Sequence, residues 1–169
     1  CRTCASCGEG LEQYCDGPVG FTGTYNGAVG GGPNTHGGYS AAITVDEHFV
    51  LHINHAEKDL AATAPLLCAG ITTWSPLRHW KAGPGQRIGV VGLGGLGHMA
   101  VKLAASLGCE VTMLSTSKGK EADARRLGAH EFALTSDKAT FKRLAGRFDL
   151  LIDTISAPHD YNAHLGLLK

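Results

Sequence analysis

The sequence predicts an α/β protein whose larger part is a doubly wound parallel sheet, preceded by a smaller strand-bearing segment with a cysteine lobe. Three observations predict it. From Arg87 onward, apolar runs of strand length alternate with helical runs; the first of these runs leads into the glycine turn Gly92-x-Gly94-x-x-Gly97; and four of the six cysteines fall within the first fifteen residues. Strands that alternate with helices pair in parallel, because each crossover helix returns the chain to the same end of the sheet.

A chain of 169 residues holds one good core, or one domain and part of another. Its 43% hydrophobic and 18% charged residues are those of a soluble globular protein. Fifteen basic residues balance fifteen acidic ones, which excludes the electrostatic footprint of a nucleic-acid or anionic-membrane binder. The apolar runs are too short to span a bilayer, and no signal-peptide pattern is present, so a cytoplasmic location is expected. The chain opens at Cys1 inside a motif, without Met, and closes at Leu167–Leu168–Lys169 within a helical pattern. It reads as a fragment of a longer protein.

The glycine turn follows the strand Arg87–Val91 and opens a helix rich in Ala, Leu and Met. Strand, tight turn and helix N-terminus together make a phosphate cradle. Gly92 permits the turn, Gly94 lets the backbone approach a pyrophosphate, and Gly97 lets the helix pack close to the strand. The free N–H groups and positive dipole end of the helix then face the anion. Gly92, Leu93, Gly94, Gly95, Leu96 and Gly97 are thus candidate cofactor-binding residues. His98 either neighbours the pyrophosphate or faces solvent.

A second strand, Glu110–Leu114, precedes a helix from about Gly119 to Leu127. A third, Glu131–Leu134, precedes a helix near Asp137–Ala145, and a fourth, Phe148–Ile152, precedes a C-terminal helix. Enzymes that use NAD place a carboxylate at the end of the second strand, on the ribose 2′-hydroxyl. Here the chain runs Leu114–Ser115–Thr116–Ser117–Lys118–Gly119–Lys120, with no acid before Glu121. Hydroxyls and lysines bind a 2′-phosphate that a carboxylate would repel. Ser115, Thr116, Ser117, Lys118 and Lys120 therefore favour NADP(H). The plainer reading of the same residues is a helix cap with a solvated lysine pair.

At the start of the chain, Cys1-x2-Cys4-x2-Cys7-x7-Cys15 suits one tetrahedral zinc with no open position, a structural site that adds folding energy. Two short disulfides are the alternative, disfavoured by the geometry of neighbouring Cys-x2-Cys pairs. Residues 16–38, with Gly17, Gly20, Gly23, Gly27, Gly30–Gly32, Pro18 and Pro33, read as a long irregular loop. Tyr39–Val45 and His48–Ile53 read as strands joined at Asp46–Glu47. Ala56–Leu67 reads as a helix ended or kinked by Pro65. The boundary between domains falls near residues 55–60, giving domains 1–57 and 58–169. Trp74 and Trp80 suit a core or a pocket, and Cys109 reads as a small core residue.

With these motifs in place, the chain resembles the zinc-dependent medium-chain dehydrogenases/reductases. The cysteine quartet, Pro65–Leu67–Cys68–Ala69–Gly70–Ile71–Thr72 and the glycine turn occur in that family's order. Gly37–Gly38–Tyr39–Ser40, Ser75–Pro76–Leu77 and Ile152–Asp153–Thr154 with Ser156 narrow it to the cinnamyl alcohol dehydrogenase-like branch, most like its bacterial NADPH-dependent aldehyde reductases. The resemblance implies part of a GroES-like catalytic domain joined to part of a Rossmann domain, and a homodimer as the whole protein. It implies a structural zinc on Cys1, Cys4, Cys7 and Cys15, and a catalytic zinc for which Cys68 is one ligand, the others coming from an upstream Cys and His. Thr72 and Thr154 match cofactor contacts near the nicotinamide. Without the resemblance, Cys68 would read as an inert thiol.

The implied activity is hydride transfer between NADPH and an aldehyde, with zinc as Lewis acid on the carbonyl oxygen. The alternatives are an NAD-dependent alcohol or polyol dehydrogenase of the same superfamily, which Ser115 argues against, and a zinc-free quinone reductase, which the quartet and Cys68 argue against. A third is that these 169 residues by themselves form an inactive zinc- and nucleotide-binding piece, since one Cys cannot hold a catalytic metal.

Overall fold

The computed structural model describes residues 1–17, 25–28 and 32–169. The chain divides into two compact units, Cys1–Asn54 and His55–Lys169.

The first unit opens with the cysteine lobe, which carries a single helical turn, α1 (Ala5–Gly8), and a 3₁₀ turn, Glu12–Tyr14. Part of the expected loop 16–38 lies outside the described residues. Within it, β1 (Tyr25–Ala28) pairs antiparallel with β2 (Asn34–His36). Two polar ties join the lobe to the segment after β2: Arg2 with Asp46, and His48 Nε2 with Glu12 Oε1 at 2.9 Å. The tie from His48 is the main reason that the Glu12 carboxyl lies below its ordinary value.

The expected strands Tyr39–Val45 and His48–Ile53 do not form. A strand needs a partner for its N–H and C=O groups, and none of the described strands pairs with either segment. Their apolar side chains are accordingly in the open, Ile43 57% and Leu51 73% exposed. Asp46, expected in a turn, caps a 3₁₀ turn at Glu47–Phe49 by accepting from His48 N–H.

The second unit begins with a broken helical run. A 3₁₀ turn at Glu57–Asp59, α2 (Leu60–Thr63) and a second 3₁₀ turn at Ala64–Leu67 replace the single expected helix, with Pro65 opening the last piece. Then α3 (Ala69–His79) leads to the sheet. Its strands are β3 (Arg87–Val91), β4 (Glu110–Ser115), β5 (Glu131–Leu134) and β6 (Leu150–Asp153), each followed by a helix: α4 (Gly95–Ser106), α5 (Glu121–Arg126), α6 (Lys138–Leu144) and α7 (Tyr161–Leu165). The sheet is parallel throughout, in the order β5-β4-β3-β6. The chain steps outward from β3 to β5, then crosses back to lay β6 on the other side of β3. Between β3 and β6 lies the topological switch point, where the helices leave on opposite faces and open a crevice at the strands' carboxyl ends.

Both faces of the sheet are covered, so β3 and β4 are apolar almost without interruption. Ile88, Val90, Val111 and Met113 enter one core with Leu77 of α3 and Ala100, Val101 and Ala104 of α4. Val91 and Leu114 enter the other, with Leu144 of α6 and Phe148. The two-residue alternation of the strands sorts them between the cores. Phe148 does not start the fourth strand as expected. It makes an isolated bridge to Leu168, while Asp149 accepts from Arg87 N–H at 2.8 Å, the main cause of its lowered carboxyl pKa.

Among the described residues, Phe148 is the largest fully buried side chain. Phe148→Ala should lower unfolding free energy by about 3–5 kcal/mol, read as a fall in the denaturant midpoint at unchanged slope.

Candidate dinucleotide site and cysteine cluster

The glycine turn sits at the carboxyl end of β3. Gly92 has φ +89°, a left-handed conformation that only glycine adopts without strain. A Cβ on Gly97 would lie 2.0 Å from the Gly92 carbonyl oxygen, so nothing larger lets α4 approach the turn this closely. Gly94 and Gly95 are different: a Cβ on either would meet nothing within 4 Å. Packing inside the protein does not require glycine there, whereas an anion lying against the turn would meet those Cβ atoms. No side chain caps the first turn of α4, which leaves its N–H groups open. His98 turns back to its own turn, with Nδ1 2.7 Å from the Gly94 carbonyl oxygen.

Thr154, just past β6, reaches across the switch point. Its hydroxyl donates to the carbonyls of Val91 (2.8 Å) and Gly92 (3.0 Å), and lies 3.3 Å from where a Gly97 Cβ would be. It thereby fixes the peptide planes that begin the turn. With Thr72, Thr73, Pro76, Leu96, Leu151, Ile152 and Asp153 it lines a cleft of about 240 Å³. Thr72 lies one turn beyond Cys68, whose carbonyl accepts from Thr72 N–H at 3.0 Å. The Cys68 thiol itself is exposed at the N-cap of α3.

At the end of β4, Ser115 is buried and its hydroxyl accepts from Ser117 N–H at 3.2 Å. Thr116, Ser117, Lys118 and Lys120 are exposed. Lys120 spans the gap to the glycine turn, its Nζ donating to the Leu93 carbonyl at 3.0 Å. The first carboxylate after Ser115 in the sequence, Glu121, points along its own helix to Arg125 at 3.5 Å. The hydroxyl- and lysine-bearing turn and the phosphate turn are therefore physically joined.

The sulfur atoms of Cys1, Cys4, Cys7 and Cys15 all lie within 4.8 Å of one another. A tetrahedral zinc with Zn–S bonds of about 2.3 Å spaces its sulfurs by about 3.8 Å, so a small contraction closes this cluster on the ion. Cys4 N–H already donates to Cys1 Sγ at 3.4 Å. Among the described residues no second group of three or more Cys, His, Asp or Glu ligands gathers, around Cys68 or elsewhere. Cys109 is a core residue, its thiol donating to the Gly83 carbonyl and raised in pKa by burial. Trp80 is 63% exposed, and Trp74 lies under the Arg78 guanidinium at 5.7 Å.

The sequence reading missed the group beside Thr154. Asp153 accepts from Ile155 N–H at 3.0 Å, and its other oxygen lies 2.7 Å from His159 Nε2. The only sequence signal was an acid at the end of the fourth strand.

A parallel sheet whose glycine turn opens a helix at the switch point defines a dinucleotide-binding unit. Residues 95–169 match the zinc-binding dehydrogenase family. The chain is 59% identical over 169 residues to NADP-dependent alcohol dehydrogenase C 1 of Mycolicibacterium smegmatis, covering all of this chain and 48% of that protein. It is 48% identical over 170 residues to the aldehyde reductase YahK of Escherichia coli, again covering all of this chain and 48% of the relative. In structure it is similar to the cinnamyl alcohol dehydrogenase SbCAD4 of Sorghum bicolor, with a TM-score of 0.89 at 45% identity, over 100% of this chain and 48% of that one. The likeness to zinc-binding dehydrogenases thus extends over residues 95–169 by the family match and over the whole chain by these relatives. It spans about half the length of the curated relatives it matches.

Gly97→Ala places a methyl group against backbone that cannot swing aside. It should cost about 1–3 kcal/mol, measured as a lower thermal midpoint. Gly95→Ala, with open space before it, should leave the midpoint unchanged.

Proposed function

We propose that this chain is the nucleotide-binding half of a zinc-dependent, NADP(H)-using alcohol dehydrogenase or aldehyde reductase. The observation that carries the proposal is the end of β4. Where a ribose 2′-hydroxyl would call for a carboxylate, the chain presents Ser115, Thr116, Ser117 and Lys118, with Lys120 bridging to Leu93 of the glycine turn. One nucleotide can then lie with its pyrophosphate on the open N–H groups of α4 and its 2′-phosphate among these hydroxyls and ammonium groups. The switch-point cleft lined by Thr154 and Thr72 would receive its far end, and Cys68 lies one helical turn from Thr72.

Each part of the chain has a separate task in this reading. Gly94 and Gly95 admit the pyrophosphate, Thr154 holds the turn in shape, and Thr72 and Leu96 wall the cleft and exclude water from the nicotinamide side. Cys68 fits a zinc ligand in its exposure and in having no side-chain bond among the described residues. A catalytic zinc, where bound, supplies polarisation of the substrate carbonyl. Such a site takes about three protein ligands, and the reading assigns the remaining ones to the rest of the whole protein. Cys1, Cys4, Cys7 and Cys15 hold a second, structural zinc. Small alcohols and aldehydes as substrates, a homodimer and a cytoplasmic location follow from the family resemblance. No single described helix is long and apolar enough to cross a membrane.

Ser115→Asp tests the cofactor assignment. It should move the ratio of NADP⁺ to NAD⁺ dissociation constants by about tenfold or more toward NAD⁺, the worth of one charged hydrogen bond. An unsubstituted protein that already binds NAD⁺ more tightly refutes the reading. For the quartet, Cys7→Ser should release the structural zinc, read as loss of one bound zinc per chain with a chelating dye.

A further inference from the structure

The segment following Thr154 is held by one side chain whose protonation state the geometry specifies. The His159 ring is nearly enclosed, 11% exposed, with Nε2 2.7 Å from Asp153 Oδ2. Its Nδ1 lies 2.8 Å from the Ala157 carbonyl oxygen. Both partners are acceptors. A neutral imidazole carries one N–H and one lone pair, so it satisfies only one of them and sets its lone pair against the other. The doubly protonated ring satisfies both.

We propose that His159 is a positioning residue for the dinucleotide site: its doubly protonated ring, held between Asp153 and Ala157, clamps the 153–159 loop and seats Thr154 on the carbonyls of the glycine turn, so that nucleotide affinity falls as the ring loses a proton. The inference rests on the dinucleotide reading of that turn. The chain of contacts is continuous. Asp153 is bonded to His159 through one oxygen and to Ile155 N–H through the other, which fixes the backbone on both sides of Thr154. Thr154 in turn bonds Val91 and Gly92. Ile155 lies where a Gly92 Cβ would come within 2.9 Å of it, so the same loop packs directly on the turn. Releasing one His159 bond loosens the loop, and with it the peptide planes that aim the open N–H groups.

The groups around the ring agree with a cation. Asp153 of β6 and Asp160 ahead of α7 are the charged residues facing it, both acidic. From α7, the Tyr161 ring lies at 4.4 Å and the His164 ring stands edge-on at 5.3 Å, its Nδ1 2.8 Å from the Asp160 carbonyl oxygen. The Ala157 carbonyl first, and the Asp153 carboxylate second, hold His159 above the ordinary histidine value. For a raised pKa, the clamp is complete below the ordinary value and is lost as pH rises through the raised one.

The test is NADPH binding to the full, zinc-loaded chain from about pH 6 to about pH 9, the range over which a raised histidine titrates. The wild-type dissociation constant should rise about fivefold or more across it, the lower end of common coupling strengths. His159→Gln should bind at every pH as weakly as wild type does at the alkaline end. His159→Arg, which keeps two donors, should hold the acidic affinity throughout. The 2′-phosphate of NADPH titrates equally in all three proteins, so their difference isolates the ring. A flat wild-type profile, or a His159→Gln profile parallel to wild type, overturns the inference. A readout free of nucleotide and of variants decides it independently. In wild type, the amide resonances of Leu93 and Gly94 should move with the His159 ring titration, and their standing still while the ring titrates overturns the inference. Absence of NADPH binding at any pH would refute the dinucleotide reading, while the amide titration would still report on the clamp.

Discussion

The contact on which the second unit depends is the close approach of α4 to the end of β3. Gly97 stands over the Gly92 carbonyl at a distance that excludes even a methyl group, and the Thr154 hydroxyl fills the remaining corner. Three elements meet there: the first strand, its helix, and the strand laid back beside it. Because the meeting point is also the switch point, the packing that closes the core opens the crevice at the strand ends. The site is the unfilled side of a packed junction.

From that junction the other features take their places. Lys120 reaches the turn because β4 runs parallel to β3 in register, Val91 opposite Leu114, so both strands deliver their exits to the same level. Thr154 reaches it because β6 is in register from the other side, Val91 opposite Asp153. A nucleotide lying across the strand ends would touch residues far apart in sequence that the ladder makes neighbours. The cysteine lobe is organised separately, by four sulfurs close enough to share one ion and by two polar ties to residues 46 and 48.

How much of this could be read from the sequence depends on whether the signal was local. The run Arg87–Val91 and the turn after it carry their period and their glycines in one stretch, and the structure reproduces the strand residue for residue. The cysteine spacing was legible for the same reason. Tyr39–Val45 and His48–Ile53 have strand-like composition, but a strand is made by its partner, which composition does not supply. The fourth strand was misplaced by two residues because Phe148 is apolar for the sake of the core, not of the ladder. The His159–Asp153 pair was invisible: its members are separated by an irregular loop holding Pro158, and no periodicity marks them. Only the fold shows that both ring nitrogens face acceptors.

The distribution of burial over the proposed nucleotide site has an evolutionary consequence. In the glycine turn, Gly92 and Gly97 cannot change without disturbing the packing beneath them. The side chains of Thr116, Ser117 and Lys118 lie in solvent, where replacements usually shift stability by no more than about 0.5 kcal/mol. On the proposed cofactor reading, the part of coenzyme preference carried by these exposed residues can drift or be re-engineered at little cost to folding, whereas the part carried by buried Ser115 is tied to the core. A lineage can exchange one reducing currency for another while the scaffold that receives it stays unchanged.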